Sequence, residues 1–170
     1  MAMDDVEGLI EKIGNLAHYY EHIYHGCAQC VLKALQDSLN IGDNLSFKAA
    51  SALAGGIARM GETCGALLGG IMAISLVYGR DRLEETTTSE SYLKAIDLSV
   101  MLFERFKEEF GSIKCTDIQE KIFGRSFDLK KEEDREEFVK AGGYEPEGCP
   151  QVVKKAAMLA AEIILKEGEI

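Results

Sequence analysis

The sequence predicts an all-α protein, a single-domain bundle of about six to eight helices around a buried, glycine-rich central helix pair. Three observations predict it. Apolar residues recur at helical spacing along most of the chain. Only two prolines occur, Pro146 and Pro150, so nothing upstream of them interrupts a helix. No segment alternates apolar and polar residues over the length of a strand. At 170 residues the chain fits one domain, 1–170, which buries roughly two-thirds of its unfolded surface without needing disulfides.

The elements follow in order. Val6, Leu9, Ile10, Ile13, Leu16 and Ala17 lie at i, i+3, i+4, i+7 spacing, and the helix they define runs through Tyr20 and Tyr24 to Gly26. A second helix begins near Cys27, carries Val31, Leu32, Leu35 and Leu39 on one face, and ends before Gly42. Ser46 is the expected N-cap of a third, with Ala49, Ala50, Leu53 and Ile57, closing on Ala54-Gly55-Gly56. Gly61 breaks the chain and Thr63 caps a fourth helix, 64–78. The run 64–79 carries no charge but is shorter than the ~20 residues a membrane span requires, so it reads as a buried central helix. Gly65, Ala66, Gly69 and Gly70 let a neighbouring backbone approach, and the small residues of the third helix suggest that partner. A polar turn, 81–87, leads to a long helix, 89–110, with Tyr92, Ile96, Ser99, Phe103, Phe106 and Phe110 along one side. A short helix at 116–122 opens on a capping box at Thr116 and Gln119, and a charged one follows at 129–140. The last begins at Pro150 and reaches Lys166.

A formal net charge of −10, with acids exceeding bases 29 to 19, opposes the phosphate neutralisation that nucleic-acid binding requires. Anionic membrane is disfavoured for the same reason. A basic redox partner protein is compatible with such a surface, as is a homodimer. The acidic opening Met1-Ala2-Met3-Asp4-Asp5 does not resemble an export signal, and a cytoplasmic location is expected.

Five cysteines in such a chain read as thiols, metal ligands or a redox centre rather than a disulfide framework. Cys27, Cys64, Cys115 and Cys149 each fall at an expected helix N-terminus, where unpaired N–H groups and a partial positive charge favour thiolate. Their separations of 37, 51 and 34 residues match neither the close pairs of zinc fingers nor ferredoxin spacing. A site assembled from separate helices would be spaced in this way. Cys27 and Cys30 form a C-x-x-C pair on one helix face, a weak signal, and Cys30 reads as a helix-face residue.

Gly26-Cys27-Ala28-Gln29 and Cys64-Gly65-Ala66-Leu67-Leu68-Gly69, with Gly55, Gly56 and Gly61 before the second stretch and Cys115 and Cys149 after it, resemble the redox-active family named for its motif, C_GCAxxG_C_C. The resemblance covers most of the chain from Cys27 onward. It implies four characteristic cysteines, Cys27, Cys64, Cys115 and Cys149, leaves Cys30 outside the set, and implies a helical redox module. Related domains accompany haem in split-Soret cytochromes, but no haem attachment motif is present here.

The leading expectation is an electron-transfer or other redox protein binding an iron–sulfur cluster through these four cysteines. Thiol–disulfide chemistry on the same cysteines, a structural zinc site with the four cysteines as ligands, and a plain helical interaction module with inert cysteines remain as alternatives. Whether the chain is an enzyme stays open. His18, His22 and His25, at i, i+4 and i+7, have a spacing that can grip a metal, but with Tyr19, Tyr20 and Tyr24 they read more simply as an aromatic helix end. Arg59 and Glu62 flank the Cys64 turn and read as solvated turn residues, with tuning or gating of the site as the alternative.

Overall fold

A computed structural model describes residues 3–167. It contains α1 (Met3–Tyr24), α2 (Cys27–Leu39), α3 (Asn44–Ala49), α4 (Gly65–Tyr78), α5 (Glu90–Phe110), α6 (Cys115–Phe123), α7 (Glu132–Lys140) and α8 (Cys149–Lys166), with a 3₁₀ turn at Ser51–Leu53. No strand occurs among the described residues; one isolated antiparallel bridge joins Thr63 to Lys114. No helix among them is long and apolar enough to cross a membrane.

Helix α4 is apolar on every side, and such a helix has to be enclosed. It packs on α2 at one side and on α5 and α8 at the other, while α1 lies across α8 and α2. Leu67, Ile74, Leu102 and Phe106 are fully buried, each stabilising the fold by roughly 1.5–3 kcal/mol through removal from water. Its glycines set the spacing. A Cβ on Gly69 would collide with the carbonyl oxygen of Ala28, and one on Gly70 would lie 2.8 Å from Leu102 Cδ2 and 3.3 Å from Ala160 Cβ. Helix α8 answers with Ala156, Ala157, Ala160 and Ala161, all fully buried.

The central glycine helix is therefore present, but its close partner is α2, not the third helix that sequence patterning suggests. That helix ends at Ala49, and its N-cap is Asp43, whose side chain forms a capping box with Ser46 at the third position. Beyond the 3₁₀ turn the chain winds in the opposite hand: Gly55, Gly56, Ile57, Ala58 and Arg59 all have positive φ, between +50° and +70°. The left-handed conformation costs a non-glycine residue about 1–2 kcal/mol, and here three adopt it in succession. Hydrogen bonds from Ala58 N–H to Ala52 O at 2.7 Å and from Arg59 N–H to Ala54 O at 3.1 Å hold the turn.

Helix α5 is rotated relative to expectation. Its buried positions are Ala95, Leu98, Leu102 and Phe106, while Ile96 and Phe103 stand out with Leu93 and Val100 on an exposed stripe. A stripe of bulky apolar residues on each side of a helix leaves patterning unable to choose between them; contact with the small residues of α4 decides.

Candidate functional site

Each of the four cysteines stands at the start of a helix. Cys27, Cys115 and Cys149 are the first residues of α2, α6 and α8, and Cys64 is the N-cap of α4. Thr63, expected to cap α4, instead pairs with Lys114. Thr116 does not cap α6 either; its hydroxyl donates to Gly61 O at 3.2 Å.

Two of the cysteines are drawn together by backbone. Residues 61–64 run antiparallel to 113–116: Cys64 N–H donates to Ile113 O at 2.8 Å, and Cys115 N–H to Glu62 O at 2.7 Å. The left-handed turn closes on this pair. Gly56, at φ +70°, sits where a Cβ would lie 2.7 Å from Cys115 Cβ and 2.5 Å from Glu62 N. Cys27 reaches the same place from α2, its Sγ filling the space that a Cβ on Gly65 would occupy, 2.5 Å away.

Cys149 arrives on a different support. Its N–H donates to Gly143 O at 2.9 Å, and the loop before it is clasped by α1. His22 Nδ1–H donates to Tyr144 O at 2.8 Å, His18 Nε2–H donates to Pro146 O at 3.0 Å, and the His25 ring stacks on Tyr144 with centroids 3.6 Å apart. The three histidines hold this loop to α1, and two of them spend a ring nitrogen on its carbonyls. Below it Phe123, Phe127, Phe138 and Tyr144 pack edge to face.

The four cysteines line one cavity of about 520 Å³, together with Glu21, Arg59, Gln119 and Tyr144. Arg59 and Tyr24 are exposed and mark its mouth. All five cysteines of the chain are free, and Cys30 is buried, its thiol 3.2 Å from His25 O. Among the described residues no group of three or more His, Cys, Asp or Glu side chains converges tightly enough to hold a metal ion. The sulfurs ring the cavity rather than meet at a point.

Their electrostatics oppose the simple expectation of helix-start thiolates. Burial, then repulsion from neighbouring anionic groups, pushes Cys64 and Cys115 up to about 12. Burial acts the same way on Cys27 and Cys149, with Glu21 the next contributor to both. Backbone N–H groups at the starts of α2 and α4 pull in the opposite direction, and desolvation outweighs them. Burial thus favours the thiol over the thiolate at all four positions.

Two site residues have no counterpart in the sequence pattern. Gln119 is buried, accepts from Phe127 N–H at 3.0 Å, and directs its Nε2–H toward Cys115 Sγ at 3.7 Å. Glu21 is only 2% exposed, and its Oε2 has no hydrogen-bond partner. Burial pushes its carboxyl up to about 8. A glutamate midway along an amphipathic helix carries no sequence signal of burial; only the docking of α1 on α2 and α8 encloses it.

A family model described as "Putative redox-active protein (C_GCAxxG_C_C)" matches residues 25–163, which include all four helix-start cysteines. An uncharacterized protein of Archaeoglobus fulgidus is 35% identical over 96 residues, covering 54% of this chain and 64% of that relative. The match thus spans less than two-thirds of the relative's length. No solved structure matches the chain.

Proposed function

Since the chain belongs to the C_GCAxxG_C_C family, we propose that it is a redox-active protein whose centre is an iron–sulfur cluster held in the cavity by Cys27, Cys64, Cys115 and Cys149. The observation that carries this reading is that four cysteines from four separate helix starts line one cavity. Four helix N-termini around one cavity supply partial positive charge, which stabilises an anionic centre there.

Three chemistries compete for these sulfurs, and magnitudes rank them. A single zinc needs its thiolates roughly 3.8 Å apart, from tetrahedral bonds of about 2.3 Å, and the described donors do not converge on one point. Thiol–disulfide exchange needs thiolate, and burial disfavours the thiolate at Cys64 and Cys115. Cys27, Cys64, Cys115 and Cys149, which ring the cavity rather than meet at a point, would hold a cluster, whose thiolate ligands are shared among more than one iron. The donor set and the cavity fit it best. Bound there, it would supply one-electron transfer.

The chain's own contribution is to exclude water, to orient Cys115 through Gln119, and to hold Cys149 through the histidine clasp. An acidic surface suits a basic electron-transfer partner protein. The test is anaerobic purification followed by iron and acid-labile sulfide assays, with a visible spectrum on the same sample. Coloured protein with on the order of two to four of each per chain is expected, lost on alanine substitution at any of the four cysteines and kept in Cys30→Ser. Colourless wild type without iron or sulfide, or equal content in all four alanine variants, overturns the reading.

A further inference from the structure

The cavity contains one group that four cysteine ligands leave unused. Glu21 projects from α1 into the same cavity, and one of its carboxyl oxygens is unpartnered in a place that water barely reaches. Burying an unsatisfied polar oxygen is costly even when the carboxyl is neutral, and considerably more so when it is charged. A leucine or methionine at this position would fill the space without that penalty. The fold carries the penalty at a residue of α1 that lines the cavity with Cys27 and Cys149, and native buried polar atoms left unpaired call for an explanation of this kind.

The surroundings narrow what the free oxygen is for. The Cys30 thiol donates to His25 O at 3.2 Å and leaves the Glu21 carboxyl oxygen unpartnered. The neighbouring α1 side chains His18 and His22 are turned to the 144–146 loop and offer nothing to Glu21. The cation that shares the cavity, Arg59, stands on its exposed rim. Glu21 lines the cavity together with the four cysteines and Tyr144. A cation among them would satisfy the oxygen, and iron accepts carboxylate oxygen as well as thiolate sulfur.

We propose that Glu21 is a fifth donor of the cavity, ligating the metal centre through Oε2 as its one non-sulfur ligand. This rests on the metal-centre reading above and deepens it. One iron would then differ from the rest in having an oxygen donor. No electron or atom transfer is needed for the assignment; the bond formed is a metal–oxygen bond, and any carboxyl proton leaves to solvent as the cation enters.

The test uses the full chain, reconstituted anaerobically with ferrous iron and sulfide, as wild type, Glu21→Gln and Glu21→Asp. The expected result is that Glu21→Gln keeps the wild-type helical circular dichroism but loses iron about tenfold faster to a competing chelator, with Glu21→Asp in between. Mössbauer spectra of wild-type protein loaded with ⁵⁷Fe supply a second readout independent of any variant's folding, and one iron distinct from the sulfur-ligated ones is expected. Equal iron retention in wild type and Glu21→Gln, or irons that are all alike in an all-sulfur environment, overturns the fifth donor while leaving the four-cysteine centre standing. Wild type that takes up no iron overturns both.

Discussion

Gly56 and Gly124 form a matched pair for measuring how closely the left-handed turn is pressed onto Cys115. Their φ angles are nearly equal, +70° and +75°, so alanine meets the same backbone cost at each, about 1 kcal/mol. They differ in space. Nothing lies within 4 Å of a Cβ on Gly124, whereas one on Gly56 meets Glu62 N at 2.5 Å and Cys115 Cβ and Gly61 C at 2.7 Å. Those neighbours are backbone or one bond from it, so none can swing aside. Overpacking of that kind adds about 1–3 kcal/mol. Gly56→Ala should therefore cost about 2–4 kcal/mol and Gly124→Ala about 1 kcal/mol. For a chain of this length 3 kcal/mol corresponds to a fall in Tm of roughly 6–12 °C. The assay is urea unfolding of reduced, metal-free protein followed by circular dichroism. Equal losses in the two variants, within about 0.5 kcal/mol, would refute the close apposition of turn and cysteine.

Other expectations follow from the same packing. Glu21 titrates near 8 in the folded protein against an ordinary 4.5, so the folded state binds the extra proton and loses stability as pH rises through that window. Metal-free wild type should lose up to roughly 5 kcal/mol more than Glu21→Gln between pH 4.5 and above pH 8, and parallel pH profiles in urea unfolding would contradict it. Replacing both His18 and His22 by alanine removes two hydrogen bonds to the 144–146 loop. This should cost about 1–3 kcal/mol and speed alkylation of Cys149 relative to Cys64, as read by peptide mass spectrometry; an unchanged ratio would count against the clasp. Leu67→Ala at the buried centre of α4 should cost about 2–5 kcal/mol, and a loss under about 1 kcal/mol would show that the centre of the bundle is loosely packed.

What was legible in the sequence is what short-range chemistry governs. The helix starts at Cys27, Cys64, Cys115 and Cys149 could be read because glycine, proline and polar residues mark those boundaries locally. The apolar α4 announced its own burial. Three features could not be read, each because a distant partner decides it. Ile57, Ala58 and Arg59 look helical by composition, yet they wind left-handed because the chain must turn back flush against Cys115. The buried face of α5 is chosen by the glycines and alanines it meets on α4 and α8, not by its own pattern. Glu21 looks like one more surface acid on an amphipathic helix until α2 and α8 close over it. The histidines were visible as a group, but their partners are carbonyls more than 120 residues away in sequence.

The clasp between α1 and the Cys149 loop has a consequence for biosynthesis. As the chain emerges from the ribosome, Cys27 and Cys64 exist long before Cys149 does. The wall that carries Cys149 can form only once the loop has found His18 and His22, across separations of 128 and 122 residues. During that interval the early cysteines stand in an open, hydrated cleft, without the desolvation that later keeps them protonated. A nascent chain is therefore the form most exposed to stray metal and to premature oxidation. A cavity lined by all four cysteines is one that an incomplete chain cannot form.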